Sequence, residues 1–159
     1  MPETKNKLSM VIFSGDMDKV MAAYIIATGA AAAGMEVVMF HTFWGYKAIQ
    51  RKGITGSSFF GRLLGLMNRG GINAIGPSRL NFGGIGRWMF KYMMRTKHLA
   101  SLPELQRTAI DLGVRILPCE MTMRMMEVTT DDLIAEAEAP VGVPTFIQHA
   151  SESQTTLFI

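Results

Sequence analysis

Apolar and polar positions along this chain fall into blocks whose periods predict alternating strands and helices. Residues 8–13 form a short apolar run closed by the turn Ser14-Gly15-Asp16, the mark of a strand buried on both faces. Residues 19–33 are alanine-rich and predict a buried helix, with Asp16 or Asp18 as its cap and Gly34 as its stop. Residues 36–41, Glu-Val-Val-Met-Phe-His, predict a second buried strand. Strand, helix and strand on short connections make a right-handed βαβ unit, and that implies a parallel sheet.

The alternation resumes beyond residue 100. Ser101 as cap, Pro103 in the first turn and Gly113 as stop bound a helix over 103–113. Residues 114–118 predict a short strand, and Cys119 opens a helical stretch through Met126. Thr129 or Thr130 caps a further helix beginning Asp131-Asp132-Leu133, with its acids where the macrodipole favours them. Val143, Phe146, Ile147 and Ala150 recur at helical spacing and predict a helix over 141–152, before a last strand at 155–159. The fold class is α/β, a layered sandwich with a mainly parallel sheet, in a single domain over 1–159.

Residues 53–97 break the pattern. They hold ten glycines among bulky apolar residues and spaced cations, and predict two amphipathic basic helical pieces over 57–68 and 84–96. This stretch reads as a Gly-rich basic helical insertion outside the sheet. The charge distribution sharpens it: no acidic residue lies between Glu36 and Glu104, while ten of the sixteen Lys and Arg do. Such a segment suits a membrane surface or an acidic partner, and it suits equally well the packing of one subunit on another. The cations are scattered among large apolar residues without a nucleic-acid motif, so no nucleic-acid partner is expected.

Composition narrows the setting. With 48% apolar and 18% charged residues the chain is no disordered segment. Its first apolar run of six residues is too short for a signal peptide, and the stretch 21–35, broken by Gly29 and Gly34, falls short of a membrane span. One cysteine permits no intramolecular disulfide. A cytoplasmic protein is expected, with 53–97 as its candidate membrane contact.

Ligands of parallel sheets bind beyond the carboxyl ends of the strands, where three loops should meet: 14–18, 41–45 and 118–120. Cys119 then lies at a strand end and a helix start together, a place that favours the reactive thiolate. It is the candidate catalytic residue, though a lone cysteine is also read as a small buried apolar side chain. Around it the candidate pocket residues are Ser14, Gly15, Asp16, Thr42, Phe43, Trp44, Gly45, Glu120, Met121 and Met123. Phe43 and Trp44 would roof the pocket or pack an edge. Gly15 and Gly45 would admit a ligand close to the backbone or simply turn the chain. The methionines after Cys119 would make a polarisable wall or fill core. Asp16 is better read as a cap than as an acid. His41, His98 and His149 lie far apart and one cysteine completes no zinc set, so neither metal nor cofactor is expected.

With those residues in view, the chain resembles the DsrE/DsrF-like sulfur-relay family, in particular its peroxiredoxin-like branch. The resemblance rests on Phe13-Ser14-Gly15-Asp16, Phe40-His41-Thr42-Phe43-Trp44-Gly45, Cys119-Glu120-Met121-Thr122-Met123 and the ending Thr156-Leu157-Phe158-Ile159. It implies a three-layer flavodoxin-like fold, assembly as a homotrimer or hexamer, and a cysteine that carries sulfane sulfur as a persulfide. Cys119 matches that position. The function so implied is a sulfur carrier or sulfurtransferase taking sulfur from a rhodanese-like protein or thiosulfate and passing it to a carrier thiol. The competing readings are a one-cysteine peroxidase or redox sensor, a flavin module, and a binding protein acting through 53–97. Ile116 stands where a peroxiredoxin has the threonine of Thr-x-x-Cys, and Asp16 and Asp18 would oppose a flavin phosphate.

Overall fold

The computed structural model describes residues 5–51, 53–67 and 69–159. Strand β1 (Lys5–Ile12) is followed by helix α1 (Met17–Ala32) and strand β2 (Glu36–His41). β1 and β2 pair in parallel, with Met10 opposite Met39 and Ile12 opposite His41. Helix α4 (Leu102–Asp111) leads to strand β3 (Arg115–Pro118), which pairs in parallel with β2. Helices α5 (Glu120–Met126) and α6 (Val143–Ser151) precede strand β4 (Ser153–Phe158), which returns to the other side of β1. The sheet order is β3-β2-β1-β4, all parallel.

Side-chain alternation along the strands builds two cores. Leu8, Met10, Ile12, Val37 and Met39 face α1 and α4, where Val20, Tyr24 and Ala109 are fully buried. Val38 and Phe40 point the other way, onto α5 and α6, with Phe40 stacked on Phe146 at 4.8 Å. Helices, sheet and helices make the three layers of a flavodoxin-like architecture. A ring of charge closes the amino ends of the strands: buried Lys7 donates to His149 Nδ1 at 2.8 Å and to Glu152 at 3.1 Å, and Arg115 forks onto Glu138.

The middle segment carries α2 (Phe59–Met67) and α3 (Ile85–Thr96), both outside the sheet and both within the expected pieces. Two expectations fail. Asp16 occupies the cap position of α1 but makes no capping bond; its carboxylate accepts from Ser14 Oγ and Lys19 instead. Asp18 accepts from the Ser78 backbone and hydroxyl, tying α1 to the middle segment. The helix expected after Thr129 is a single 3-10 turn, Thr130–Asp132, whose capping box Thr129–Asp132 supplied the misleading signal. Beyond it the chain runs extended along the free edge of β3, bridging Ile116 to Ala137 and Cys119 to Val141. The alternation of alanine with Glu136 and Glu138 there fits an edge better than a helix.

Two glycines, one inside α1 and one just past its end, respond in opposite directions to substitution. Gly29 faces open space inside the helix, so Gly29→Ala should stabilise by about 0.5–1 kcal/mol in urea unfolding at neutral pH. Gly34 ends the helix at φ +83°, so Gly34→Ala should destabilise by about 1 kcal/mol. Equal effects of the two would contradict the assigned helix end.

Candidate functional site

Cys119 follows the last residue of β3 and stands at the N-cap of α5. It is 1% exposed and packed among Tyr46, Leu117, Met123 and their neighbours. Both of its backbone polar groups are held by one segment, the end of β2 and the 3-10 turn Phe43–Ala48. Its N–H donates to the His41 carbonyl at 3.0 Å, and its carbonyl accepts from the Tyr46 hydroxyl at 3.0 Å. One turn further on, Thr122 Oγ1 accepts from the Phe43 N–H at 3.2 Å and lies 3.0 Å from Thr42 Oγ1. Cys119 and the first turn of α5 are therefore gripped by His41–Tyr46 at four points.

The Cys119 side chain makes no capping bond to the start of α5. α5 has only seven residues. The N–H groups of Cys119 and Glu120 are already bonded to the carbonyls of His41 and Val141. What the fold offers Cys119 is burial and a fixed backbone.

The other expected pocket residues divide into separate places. Ser14, Gly15, Asp16 and Trp44 line a cavity of about 370 Å³ whose far wall comes from Leu64 and Met67 of α2, and Cys119 does not reach it. Lys47 also lines it; burial lowers its pKa and Asp16 opposes that shift. The Phe43 ring lies 5.4 Å from that of Phe13, which in turn lies 5.7 Å from that of Phe158. Glu120 lies on the surface, paired with Arg124 at 2.7 Å. Met121 is 58% exposed while Met123 is buried, so the methionines form no continuous wall.

The two glycines serve the protein's own backbone. A Cβ on Gly15 would stand 2.3 Å from the Trp44 carbonyl oxygen, and one on Gly45 would stand 2.0 Å from that of Ile12. Gly45 also donates its N–H to the Phe13 carbonyl at 2.9 Å. The loops after β1 and β2 are thus packed into each other, which no sequence pattern marked. Tyr46, Thr122 and the His41 backbone were likewise missed as neighbours of Cys119. A buried tyrosine needs a partner for its hydroxyl, so Tyr46 within an apolar run was the available signal.

A groove of about 610 Å³ runs along α5, between Glu120 and Met123 on one side and Ile54–Ser57 on the other. At its end Glu127 ties the middle segment down, accepting from the N–H and hydroxyl of both Ser57 and Ser58. Those donors, led by the Ser58 hydroxyl, hold the Glu127 carboxyl down to about 2. Among the described residues no three His, Cys, Asp or Glu side chains gather as a metal would require.

Comparison with known proteins places this geometry. The model of the DsrE/DsrF/DrsH-like family matches residues 4–158. The chain belongs to that family. The uncharacterized protein YrkE of Bacillus subtilis (strain 168) is 37% identical over the whole of both chains. The sulfur carrier protein DsrE2 of Allochromatium vinosum is 27% identical, with 98% of this chain and 99% of that protein covered. The crystal structure of the ychN protein from E. coli shares the fold, with a TM-score of 0.55 at 10% identity over 96% of this chain and 98% of that one.

His41 gives this family member a pH signature beside its cysteine. The ring is fully buried; Nδ1–H donates to the Gly45 carbonyl at 3.0 Å, leaving Nε2 without a hydrogen-bond partner among the described residues. Burial pulls its pKa down to about 4, against the bond to Gly45, which raises it. The folded state then binds fewer protons than the unfolded chain between about pH 6.5 and about pH 4. Stability is full above that window and falls as acid is added. His149, lowered by burial and by Lys7, adds to the fall with the same sign. Urea unfolding should lose up to about 3 kcal/mol between about pH 7 and about pH 4.5, and a His41→Gln variant should lose clearly less. An unchanged slope in the variant would contradict the placement of His41.

Proposed function

We propose that this protein is a sulfur carrier in which Cys119 takes a sulfane sulfur from a donor and passes it to an acceptor thiol. Membership of the DsrE/DsrF/DrsH-like family and the relation to a protein named as a sulfur carrier support the role. The observation that carries it to one residue is that the chain's sole cysteine sits at the carboxyl end of β3, held at both its N–H and its carbonyl.

The chemistry needs no change of net oxidation state. The Cys119 thiolate attacks the outer sulfur of a donor persulfide R–S–SH, forming Cys119–S–SH while the donor S–S bond breaks and R–S⁻ leaves. With thiosulfate the product is Cys119–S–S⁻ and the leaving group is sulfite. An acceptor thiolate then attacks the outer sulfur, becomes the persulfide and returns the Cys119 thiolate. Rhodanese-like proteins and carrier thiols are the partners of matching chemistry. Because Cys119 is buried, each step requires the first turn of α5 to part from the His41–Tyr46 segment, and the groove along α5 is the approach beside it. Intact-mass measurement after incubation with thiosulfate or a loaded rhodanese should show a gain of about 32 Da, one sulfur atom, absent from Cys119→Ser. No gain with any sulfane donor would leave Cys119 as packing.

A second reading concerns α2 and α3. Phe59, Phe60 and Met67 are each more than three-quarters exposed, and Trp88, stacked on Tyr92, is 68% exposed. With ten cations and no acid over 37–103, these helices suit the surface of an anionic membrane. No helix among the described residues is long and apolar enough to cross one. Arg87 and Lys91 hydrogen-bond to the carbonyls of Ala74 and Asn73 and hold the segment itself. Changing Arg62, Arg69, Arg79 and Arg95 to Gln should therefore abolish flotation with phosphatidylserine vesicles at low salt. The family resemblance implies a homotrimer or hexamer, and sedimentation should show the same assembly in the variant as in wild type. Dissociation of the variant into monomers would make α2 and α3 a subunit contact instead, and wild type that ignores the vesicles would contradict the membrane reading.

A further inference from the structure

Among the described residues, the hydroxyl of Tyr46 is the one side-chain group bonded to the Cys119 backbone, and a single-atom change removes it. The phenol is 1% exposed, and its hydroxyl donates to the carbonyl of Cys119, which also accepts the Met123 N–H at 3.1 Å as the first bond of α5. The Cys119 N–H is held at the same time by the His41 carbonyl. Fixing both ends of one residue fixes its dihedral angles, here φ −80° and ψ 115°, and with them the side that its side chain faces. That side is the interior, between the sheet and α5, where the thiol is shut away from solvent. Burial pushes the Tyr46 pKa up, so the hydroxyl keeps its proton and remains a donor.

We propose that Tyr46 is a positioning residue that keeps Cys119 facing inward and so protects the sulfur it carries from thiols other than its acceptor. This rests on the sulfur-carrier reading for its purpose, but its geometry does not. A persulfide exposed to solvent gives its outer sulfur to any small thiolate, which becomes a persulfide and restores the Cys119 thiolate. A carrier that loses sulfur in that way delivers little of it. The Tyr46 hydrogen bond sets how often the first turn of α5 opens, and an ordinary hydrogen bond weighs about tenfold in such an equilibrium. An acceptor bound along the α5 groove would compensate for opening by its own contacts, whereas a small thiol would not.

The test compares Tyr46→Phe with wild type and with Val20→Ala. Tyr46→Phe keeps the ring and removes one oxygen. Val20 is fully buried in α1 on the opposite face of the sheet, so its truncation lowers stability without touching the site. Alkylation of Cys119 by iodoacetamide, which needs no sulfur, should be about tenfold faster in Tyr46→Phe and within twofold of wild type in Val20→Ala. In protein loaded with sulfur, transfer to glutathione should accelerate by the same factor. Equal alkylation of Tyr46→Phe and wild type overturns the proposal, and so does equal acceleration in both variants, since reactivity would then follow stability alone. If alkylation accelerates as expected but neither protein accepts sulfur, the positioning role stands and the sulfur-carrier reading is the part that fails.

Discussion

The hold of the His41–Tyr46 segment on Cys119 is the contact around which the rest of the site is arranged. It couples β2 to the start of α5 through the N–H and carbonyl of one residue. It exists only because the loops after β1 and β2 approach closely enough for Gly45 to bond Phe13, which in turn requires no side chain at Gly15 or Gly45. Glycine there is a condition of packing and not of ligand access. Once the loops interlock, the 3-10 turn after β2 points Tyr46 into the second core, and Cys119 is enclosed.

That enclosure sets the terms of any chemistry. A buried cysteine at the end of a parallel strand is positioned but unreactive until something moves. The fold supplies an element suited to moving: a two-turn helix tied by side-chain bonds at Thr122 and, just past its end, at Glu127. These ties are few and directional, whereas β2 and β3 beneath are buried along nearly their whole length. On the proposed reading, access to Cys119 turns on these few hydrogen bonds while the sheet stays intact. The small cavity beside Ser14 and Trp44 is lined by the interlocked loops and by α2, and Cys119 is not among its walls.

Much of the architecture was legible because its signals are local. β2 lies at the expected residues, and α1, α3 and α4 lie within a turn of theirs, since buried strands, glycine stops and the Ser101–Glu104 capping box are written in short stretches of sequence. The chain gave less away where distant residues decide. The Thr129–Asp132 capping box is real, yet the edge of β3 captures the chain beyond it and draws it out as an extended segment. Tyr46 carries no periodic signal, and its importance comes from a residue 73 positions away. Cys119 stood out as a candidate because it is the only cysteine; the residues that bond it did not, because they meet its backbone N–H and carbonyl, groups that any residue possesses.

The central claim is that sulfur held on Cys119 is delivered to another thiol. A single-turnover experiment addresses it: the loaded protein, freed of donor, is mixed with a carrier-protein thiol and both partners are weighed by intact mass over time. The account predicts that the added sulfur leaves Cys119 and appears on the acceptor in equal amount, with the free Cys119 thiol restored. Sulfur that stays on Cys119, or that is released as sulfide without reaching the acceptor, would contradict it.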